Sequence, residues 1–313
     1  MNDGQLNNYG KLIDYIYNNI DKYENTSLIL EKLIKNEIIE QPENKSKFFH
    51  NITKIPKIVD NLPQRVTNQV KSFEKLGYRN MFNNESNKCL SLKTSFRLVV
   101  GLGGGHVLET SLTLHHIFGI PYIPATALKG VVRMLSFWEI AEKMNIRTDE
   151  KIEVLQKQLY DSEITGSEDG DILRHKLLFG TQNFKGLLVF LDAYPNIQNN
   201  QEIFDVDVMN PHYLQYYTKE EMPGDWENPI PIVFLTVKKG IPFCFNVLFD
   251  ESRTKEILNK ENSFKETKEI KKILNQWLNN FPELTNFVNN LLKNALKEYG
   301  LGAKTRVGYG RFE

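Results

Sequence analysis

The last thirteen residues, LGAKTRVGYGRFE, combine residue types that suit contact with a phosphate backbone. Glycine allows the main chain to approach a ligand closely, lysine and arginine bind phosphate oxygens, and aromatic rings stack on bases. The stretch therefore predicts a nucleic-acid contact made by Gly302, Lys304, Thr305, Arg306, Gly308, Tyr309, Gly310 and Arg311. The alternative is a glycine-rich turn with solvated charges that leads into a final strand.

Two glycine-containing segments have the wrong spacing for a nucleotide cofactor. Near the C-terminus, Ala303 precedes Lys304 where an NTPase loop needs glycine, and only eight residues follow Thr305, too few for the required helix. In the run at residues 101–105, the dinucleotide-binding spacing fails because His106 occupies the position of the third glycine. We expect no cofactor.

The histidines that follow this run raise the possibility of a metal or a general base. His106 and Glu109 are followed by His115 and His116, but HExxH is absent and no third ligand stands at a recognisable spacing, so no metal site is predicted. His106 could act as a base in RNA cleavage, or it could fix its loop through a hydrogen bond. A scattered set could form a carboxylate site, although its spacing does not indicate one: Asp192, Asp205, Asp207, Asp225 and His212.

The segment PYIPATALKGVVR, residues 121–133, reads as a turn that leads into a helix. Helix N-termini attract anions through their free N–H groups and dipole. Lys129 and Arg133 are four residues apart and therefore share one helix face. As a pattern alone, this is a weak phosphate site.

The composition limits the classes of protein to be considered. The chain has 313 residues, 41% hydrophobic and 25% charged, with a formal net charge of zero. Neutrality argues against a free-standing, non-specific nucleic-acid binder but allows a local basic site. Without a CxxC pair, Cys89 and Cys244 exclude a zinc ribbon, and we expect two buried, reduced thiols. With no signal sequence and no apolar run long enough to cross a bilayer, we expect a cytoplasmic protein.

The first 85 residues are predicted to form a helical extension. Apolar residues recur at helical spacing over residues 6–40, and Pro42 is expected to end that pattern. Residues 41–62 are polar and indicate a connection. A further helix is predicted from Pro63 to Leu76, with Gly77 at its C-terminal end.

The rest of the chain predicts an α+β sandwich of ferredoxin-like type. A strand is expected over residues 89–100, a helix from Thr126 or Ala127, another near 150–160, a polar loop at 161–171 and a buried strand over 186–192. Further on, the pattern predicts an irregular insertion at 195–230, a hairpin of strands 230–237 and 241–249, two helices divided at Pro282, and a terminal strand.

Taken together, the motifs resemble one protein family. The ordered set is GLGGGHVLETSLTLHHIFGIPYIPATALKGVVR, LFG, GLLVFLDAYP, DVMNPHYLQYY, PIVFLTV and GLGAKTRVGYGRF. It is similar to the RAMP superfamily of CRISPR-associated proteins and, within it, to the sixth subunit of the type III-B Cmr effector complex. The resemblance covers about residues 86–313 and implies an RRM-like, ferredoxin-type core with insertions. It suggests two domains, a helical extension at 1–85 and an RNA-binding domain at 86–313.

The resemblance also implies a function. It points to a non-catalytic backbone subunit of an antiviral ribonucleoprotein, near the 3′ end of the guide RNA. The implied partners are guide and target RNA, the repeated backbone RAMP subunit, the small helical subunit and a capping RAMP subunit.

Matched position by position, the resemblance implies RNA contact at three places in this sequence. The stretch from Gly302 to Gly310 matches the C-terminal glycine-rich loop of the family. Lys129 and Arg133 match a basic pair, and the loop after the first strand is matched by Gly103, Gly104, Gly105 and His106. Residues 125–127 are Ala-Thr-Ala where the superfamily usually has Gly-Ser-Ser, which puts a hydroxyl contact in doubt. Glu109 lies in the region where target-cutting subunits have an aspartate, so no catalytic residue is assigned.

Two other functions remain open. One is an RNA endonuclease with His106 or His212 as acid or base and Lys129 or Arg133 at the scissile phosphate. The other is a scaffold that contacts only protein, which suits the zero net charge. The insertion at 195–230, with Tyr213, Tyr216 and Tyr217, could contact the guide–target duplex or pack on a neighbouring subunit.

Overall fold

Ten helices and eight strands account for most of the regular structure among the residues described by the computed structural model. It describes residues 11, 13–17, 19–23, 25–55, 62–82, 89–160, 163–198, 200–211, 222, 229–259 and 267–313. The helices are α1 Thr26–Lys32, α2 Asn36–Glu40, α3 Pro42–Thr53, α4 Leu62–Lys75, α5 Ala125–Lys143, α6 Asp149–Tyr160, α7 Gly170–Phe179, α8 Glu251–Asn259, α9 Thr267–Asn279 and α10 Phe281–Asn294.

The strands form small antiparallel sheets. They are β1 Tyr78–Asn80, β2 Leu90–Lys93, β3 Leu188–Phe190, β4 Tyr194–Pro195, β5 Phe204–Met209, β6 Ile232–Val237, β7 Pro242–Phe245 and β8 Val247–Asp250. The sheet orders are β1-β8-β3, β2-β7-β4 and β5-β6. The predicted α+β class is confirmed.

Pro42 does not end the helical pattern of the N-terminal region. It ends α2 and lies in the first turn of α3, where its missing N–H costs nothing. The predicted connection at 41–62 was therefore wrong over α3, whose Phe48, Phe49 and Ile52 are buried. The helix expected at Pro63 is confirmed as α4, and Gly77 after it has a φ of +86°.

The predicted hairpin was also wrong. The chain does turn at Gly240, whose φ is +80°, but β6 pairs with β5 while β7 pairs with β2 and β4. Thr94 separates the two arms of the turn: it accepts from Gly240 N–H, donates from its own N–H to the Ile241 carbonyl and donates from Oγ1 to the Lys238 carbonyl. Each arm therefore finds a different strand partner.

Other differences concern elements of weak sequence pattern. Strand β5 lies inside the insertion expected to be irregular, and α7 and α8 were not predicted. The strand expected over 89–100 is short, because only β2 is regular and Thr94 and Leu98 make isolated bridges. The described C-terminal residues form a loop with one bridge, Thr94 to Phe312, rather than a strand. The helices divided at Pro282 are confirmed as α9 and α10.

The N-terminal helices pack on the sheets of the later region. Helix α3 packs against β5 and β6, and α4 packs against β1. One buried cluster contains side chains from both sides of residue 85, such as Ile52 and Phe245. The division into domains at that residue stays a prediction.

The two cysteines form a disulfide, so the prediction of reduced thiols was wrong. Cys244 lies on β7, Cys89 lies just before β2, and their Cα atoms are 5.6 Å apart. The two cysteines are 155 residues apart in sequence, and the pairing of β2 with β7, which the sequence pattern did not predict, brings them together.

Within the described ranges, no helix is both long enough and apolar enough to cross a bilayer.

Candidate nucleic-acid interface

The C-terminal loop, residues 300–313, is held mainly by its backbone. Ala303 N–H donates to the Val99 carbonyl at 2.8 Å, and Gly310 N–H donates to the Arg97 carbonyl at 2.8 Å. The loop closes on itself where Leu301 N–H donates to the Gly310 carbonyl at 2.9 Å. These bonds fix the loop along the segment that follows β2.

Two glycines of the loop are required by this close packing. A Cβ on Gly302 would lie 2.3 Å from the Val99 carbonyl oxygen, and one on Gly310 would lie 1.8 Å from the Leu301 carbonyl oxygen. Both residues also have positive φ, +92° and +66°. Gly308 differs, since its φ is +97° but a Cβ would meet open space. Gly302 and Gly310 therefore shape the loop, and Gly308 leaves its outer side free of side chains.

The cations of the loop differ in their surroundings. Lys304 is half-buried, has a φ of +61°, and lies over the rings of Phe234 and Tyr309 at 5.6 and 5.9 Å. Thr305 begins the 3₁₀ turn Thr305–Val307. Arg306 and Arg311 are exposed, and the described part of the chain gives neither of them a carboxylate partner. These two arginines can meet an anion without first breaking an ion pair.

Tyr309 anchors the loop. Only 6% of it is exposed, and its hydroxyl donates to Asp207. Its ring packs edge-on against Phe96 at 5.2 Å and near Phe234. Burial and the Asp207 hydrogen bond raise the pKa of Tyr309 to about 12. The predicted use of this ring to stack on a base does not fit its burial in this structure.

Arg97, which sequence reasoning missed, organises the acidic residues beside this anchor. Its guanidinium lies 2.8 Å from Asp205 and 3.1 Å from Asp207. Burial alone would lower the pKa of Arg97, but the two carboxylates outweigh burial and raise it. Asp205 and Asp207 alternate along β5, which was the available signal that they share a face. Their pairing is with a cation of the protein, which accounts for both carboxylates without a metal.

The glycine loop at 101–105 lies next to the C-terminal loop. Leu102 and Ala303 pack on one small cluster formed by Val99, Phe234 and Tyr309. Gly103, Gly104 and Gly105 are exposed, and a Cβ on Gly103 or Gly105 would meet nothing within 4 Å. The structure therefore brings together two predicted RNA-contacting segments that are about two hundred residues apart in sequence.

His106 holds the glycine loop to the N-terminal region. Its Nδ1 accepts from Leu108 N–H at 3.2 Å, which leaves Nε2 as the donor to the Leu30 carbonyl at 3.0 Å. Both ring nitrogens are occupied by the backbone. Of the two interpretations left open by the sequence, the structure shows the histidine that fixes its loop.

Lys129 and Arg133 lie on α5, both half-buried. Arg133 lies over the Tyr160 ring at 4.8 Å and donates to the Leu159 carbonyl at 3.4 Å, so it faces α6. Burial lowers the pKa of both residues, and the Arg133 charge lowers that of Lys129 further.

The N-terminus of α5, predicted as an anion site, already has a carboxylate. Asp192 Oδ1 accepts from Ala125 N–H at 2.7 Å. Because a carboxylate there repels a phosphate, the cations further along α5 are a better anion site than its N-terminus.

The neighbouring histidines His115 and His116 belong to an aromatic cluster. His115 stacks on His116 at 5.1 Å and contacts Phe118, Tyr122 and Tyr194. Burial and the neighbouring His116 lower the pKa of His115. Glu109 instead pairs with Lys45 at 2.9 Å. Across the described ranges, no three potential ligands group in a way that could hold a metal ion.

Some sequence candidates lie outside the described residues. They are His212, Asp225 and the three tyrosines Tyr213, Tyr216 and Tyr217. The prediction that the insertion contacts a duplex stays untested.

Comparison with known proteins gives a consistent set of matches. The model of the RAMP superfamily matches residues 91–313. The CRISPR system Cmr subunit Cmr6 of Pyrococcus furiosus is 33% identical over 285 residues, covering 80% of this chain and 74% of that protein. Cmr6 of Saccharolobus solfataricus is 25% identical over 161 residues, covering 50% of this chain and 44% of its own length.

A solved structure is similar in fold. A chain in the type III-B Cmr-beta complex bound to cognate target RNA aligns with a TM-score of 0.51 and 19% identity, over 97% of this chain and 86% of that one.

Proposed function

Because the chain belongs to the RAMP superfamily and, within it, to the Cmr6 proteins of CRISPR Cmr systems, we propose that it binds guide RNA as a non-catalytic backbone subunit of a type III-B Cmr ribonucleoprotein. The observation that carries the proposal is the paired loop surface. Here Arg306 and Arg311 are exposed without a described carboxylate partner, on a C-terminal loop whose Ala303 packs on the same cluster as Leu102 of the glycine loop at 101–105.

The chemistry of this surface favours phosphates over base edges. Arginine donors match phosphate oxygens in geometry and charge, and glycines let a strand of RNA approach the backbone. Phosphate contacts position a nucleic acid without reading its sequence. Such a surface suits a guide whose sequence varies from one complex to the next.

The membership of the family supports a proposal for the location and partners of the chain. We place it near the 3′ end of the guide, beside the repeated backbone RAMP subunit, the small helical subunit and a capping RAMP subunit. The similar Cmr-beta structure is described as bound to target RNA, which supports contact with the guide–target duplex as part of the proposal. An assembly on guide RNA would work in the cytoplasm, in antiviral defence.

The absence of catalysis is part of the proposal and rests on two side chains. His106 is held by backbone groups at both ring nitrogens, so it lacks a free nitrogen to accept a proton from a substrate hydroxyl. Glu109, in the region where target-cutting subunits have an aspartate, pairs with Lys45. An endonuclease that used His106 or Glu109 would need that group to be released, and one that used His212 would act from outside the described residues.

The test is RNA retention by the assembled complex. Arg306→Gln with Arg311→Gln should reduce the guide RNA that copurifies with tagged complex, while the unfolding midpoint of the chain stays unchanged. The matched control is Arg147→Gln with Lys239→Gln, which changes the charge equally at exposed sites outside the loop. Unchanged guide content in the loop variant would refute the loop assignment, and a native complex without discrete guides would favour the protein-only scaffold.

A second measurement addresses the endonuclease alternative. Purified chain should leave repeat-containing RNA intact with or without His106→Ala. Metal-independent cleavage that disappears in His106→Ala would overturn the non-catalytic assignment.

A further inference from the structure

A cavity of about 410 Å³ lies between helices α5 and α6, away from the residues used by the C-terminal loop. Its lining is Gly130, Arg133, Met134, Phe137, Trp138, Ile152, Gln156, Leu159, Tyr160 and His175. We call this cavity the α5–α6 groove.

The charge of the groove is unbalanced. Arg133 is its one charged lining residue, and no carboxylate lines it within the described part of the chain. Lys129 lies one turn away on the same helix and is also half-buried without a described ion pair. His175 at the floor shares a hydrogen bond with Ser136 at 2.9 Å, and burial lowers its pKa to about 3, so it is neutral. Two half-buried cations with no counter-charge among the described residues favour an anionic ligand.

The apolar side of the groove is aromatic and open to solvent. Trp138 is 40% exposed, Tyr160 is 47% exposed and Met134 is 39% exposed. The Arg133 guanidinium lies over the Tyr160 ring, and Phe137 meets Trp138 edge-on at 5.1 Å. Exposed aromatic faces next to unpaired cations are the combination with which proteins hold single-stranded nucleic acid.

We propose that the α5–α6 groove holds one unstacked nucleotide of single-stranded RNA, with its base against Trp138 and Tyr160 and its phosphate at Arg133 and Lys129. Gln156 in the lining offers an amide that can bond to a base edge. The proposal deepens the proposed function and rests on it, since it adds a base-holding groove to the RNA contact predicted at Lys129 and Arg133.

A protein segment is the competing occupant. Trp, Tyr, Met and Arg are also enriched in protein interfaces. The lining favours the nucleotide because it places Arg133, which has no described carboxylate partner, beside exposed aromatic side chains and a single amide, with Lys129 one turn away on α5. Capture of a polypeptide in the groove is therefore an outcome that would overturn the proposal.

The first experiment measures binding of a fluorescein-labelled, single-stranded uridine oligoribonucleotide to the full chain by anisotropy. Trp138→Ala and Tyr160→Ala should each weaken binding about fivefold or more, the loss expected for one base stacked on one ring. Phe287→Ala, an equally exposed aromatic on α10, is the matched control and should bind as the unchanged chain does. Groove variants that keep full affinity would overturn the proposal.

The second experiment identifies the occupant in the assembled complex. A benzophenone amino acid at position 134 should crosslink to nuclease-sensitive RNA, whereas a crosslink to polypeptide would replace the nucleotide with a protein partner.

The binding measurements separate the groove proposal from the proposed function. If the unchanged chain binds RNA and only Arg306→Gln with Arg311→Gln weakens it, the groove assignment fails and the proposed function stands. If the unchanged chain binds no RNA, both fail.

Discussion

The C-terminal loop and the α5–α6 groove both present cations, but they hold them differently. In the loop the backbone is rigidly bonded to its neighbours while Arg306 and Arg311 extend into solvent. In the groove, Lys129 and Arg133 stand on a regular helix and are themselves half-buried. Arg306 and Arg311 therefore keep their water of hydration, whereas burial has removed part of the water from Lys129 and Arg133.

This difference predicts different energetics of binding. Exposed cations gain a phosphate contact that salt screens strongly. Half-buried cations interact more strongly with a ligand because the local dielectric is lower, but they destabilise the free protein. Changes to the loop backbone should therefore have the largest effect on the C-terminal loop. The groove should instead be sensitive to protonation of His175 and to loss of its aromatic rings.

The largest effect expected is on the loop backbone. Gly310→Ala should destabilise the chain by roughly 2–4 kcal/mol, since it combines a left-handed conformation with a clash against the Leu301 carbonyl. Urea unfolding measures this change. Gly103→Ala is the control, because a Cβ there meets open space, and it should stay close to the unchanged chain. Equal stability of the two variants would show that the loop is not fixed as described.

The next effect concerns the floor of the groove under acid. Because the pKa of His175 is about 3 in the folded chain, below its ordinary value of 6.5, its neutral form contributes stability above pH 6.5 that is lost as pH falls towards 3. Between pH 7 and pH 5 this loss should be about 2 kcal/mol. His175→Gln should flatten that acid slope in urea unfolding, even if it lowers stability at neutral pH. A slope that does not change would mean that His175 stays accessible to protons.

The sequence predicted the backbone of the site better than its side-chain contacts. The helix α5 follows from a local pattern and is confirmed, whereas RNA contact by its cations and by the glycines stays a prediction. The Arg97 pairing with Asp205 and Asp207 depends on the alignment of the segment after β2 with β5, which no local pattern specifies. Burial of Tyr309 was missed for the same reason.

The hairpin and the disulfide also depend on contacts that no local sequence pattern specifies. The turn at Gly240 was visible in sequence, but its arms pair with distant strands because Thr94 occupies the space between them. The Cys89–Cys244 bond follows from the pairing of β7 with β2, since β7 lies between β2 and β4. Long-range strand pairing, rather than propensity, decided both outcomes.

Salt should separate the two RNA contacts. Removing two phosphate contacts with Arg306→Gln and Arg311→Gln should reduce the slope of log affinity against log salt by about 1.4 for single-stranded RNA. Trp138→Ala should lower affinity while leaving that slope unchanged, because it removes a ring and no charge. Anisotropy titrations over a series of salt concentrations measure both. If the two variants shift the slope equally, the distinction between loop and groove is wrong.

The smallest effect tests the anchor of the loop under alkali. The pKa of Tyr309 is raised to about 12 from 10.0, by burial and then by its hydrogen bond to Asp207. The neutral phenol therefore contributes stability that is present below pH 10 and is lost as pH rises towards 12.

Tyr309→Phe should cost about 1 kcal/mol at neutral pH, for one hydrogen bond, because Asp207 keeps its partner Arg97. It should also flatten the decline in urea stability between about pH 10 and pH 12, the range that the two pKa values define. Tyr194→Phe is the control, since its pKa is also about 12 but it lies outside the loop. If only Tyr309→Phe also weakened RNA binding, the loop's rigidity, and not its charge alone, would be what positions Arg306 and Arg311 for the guide.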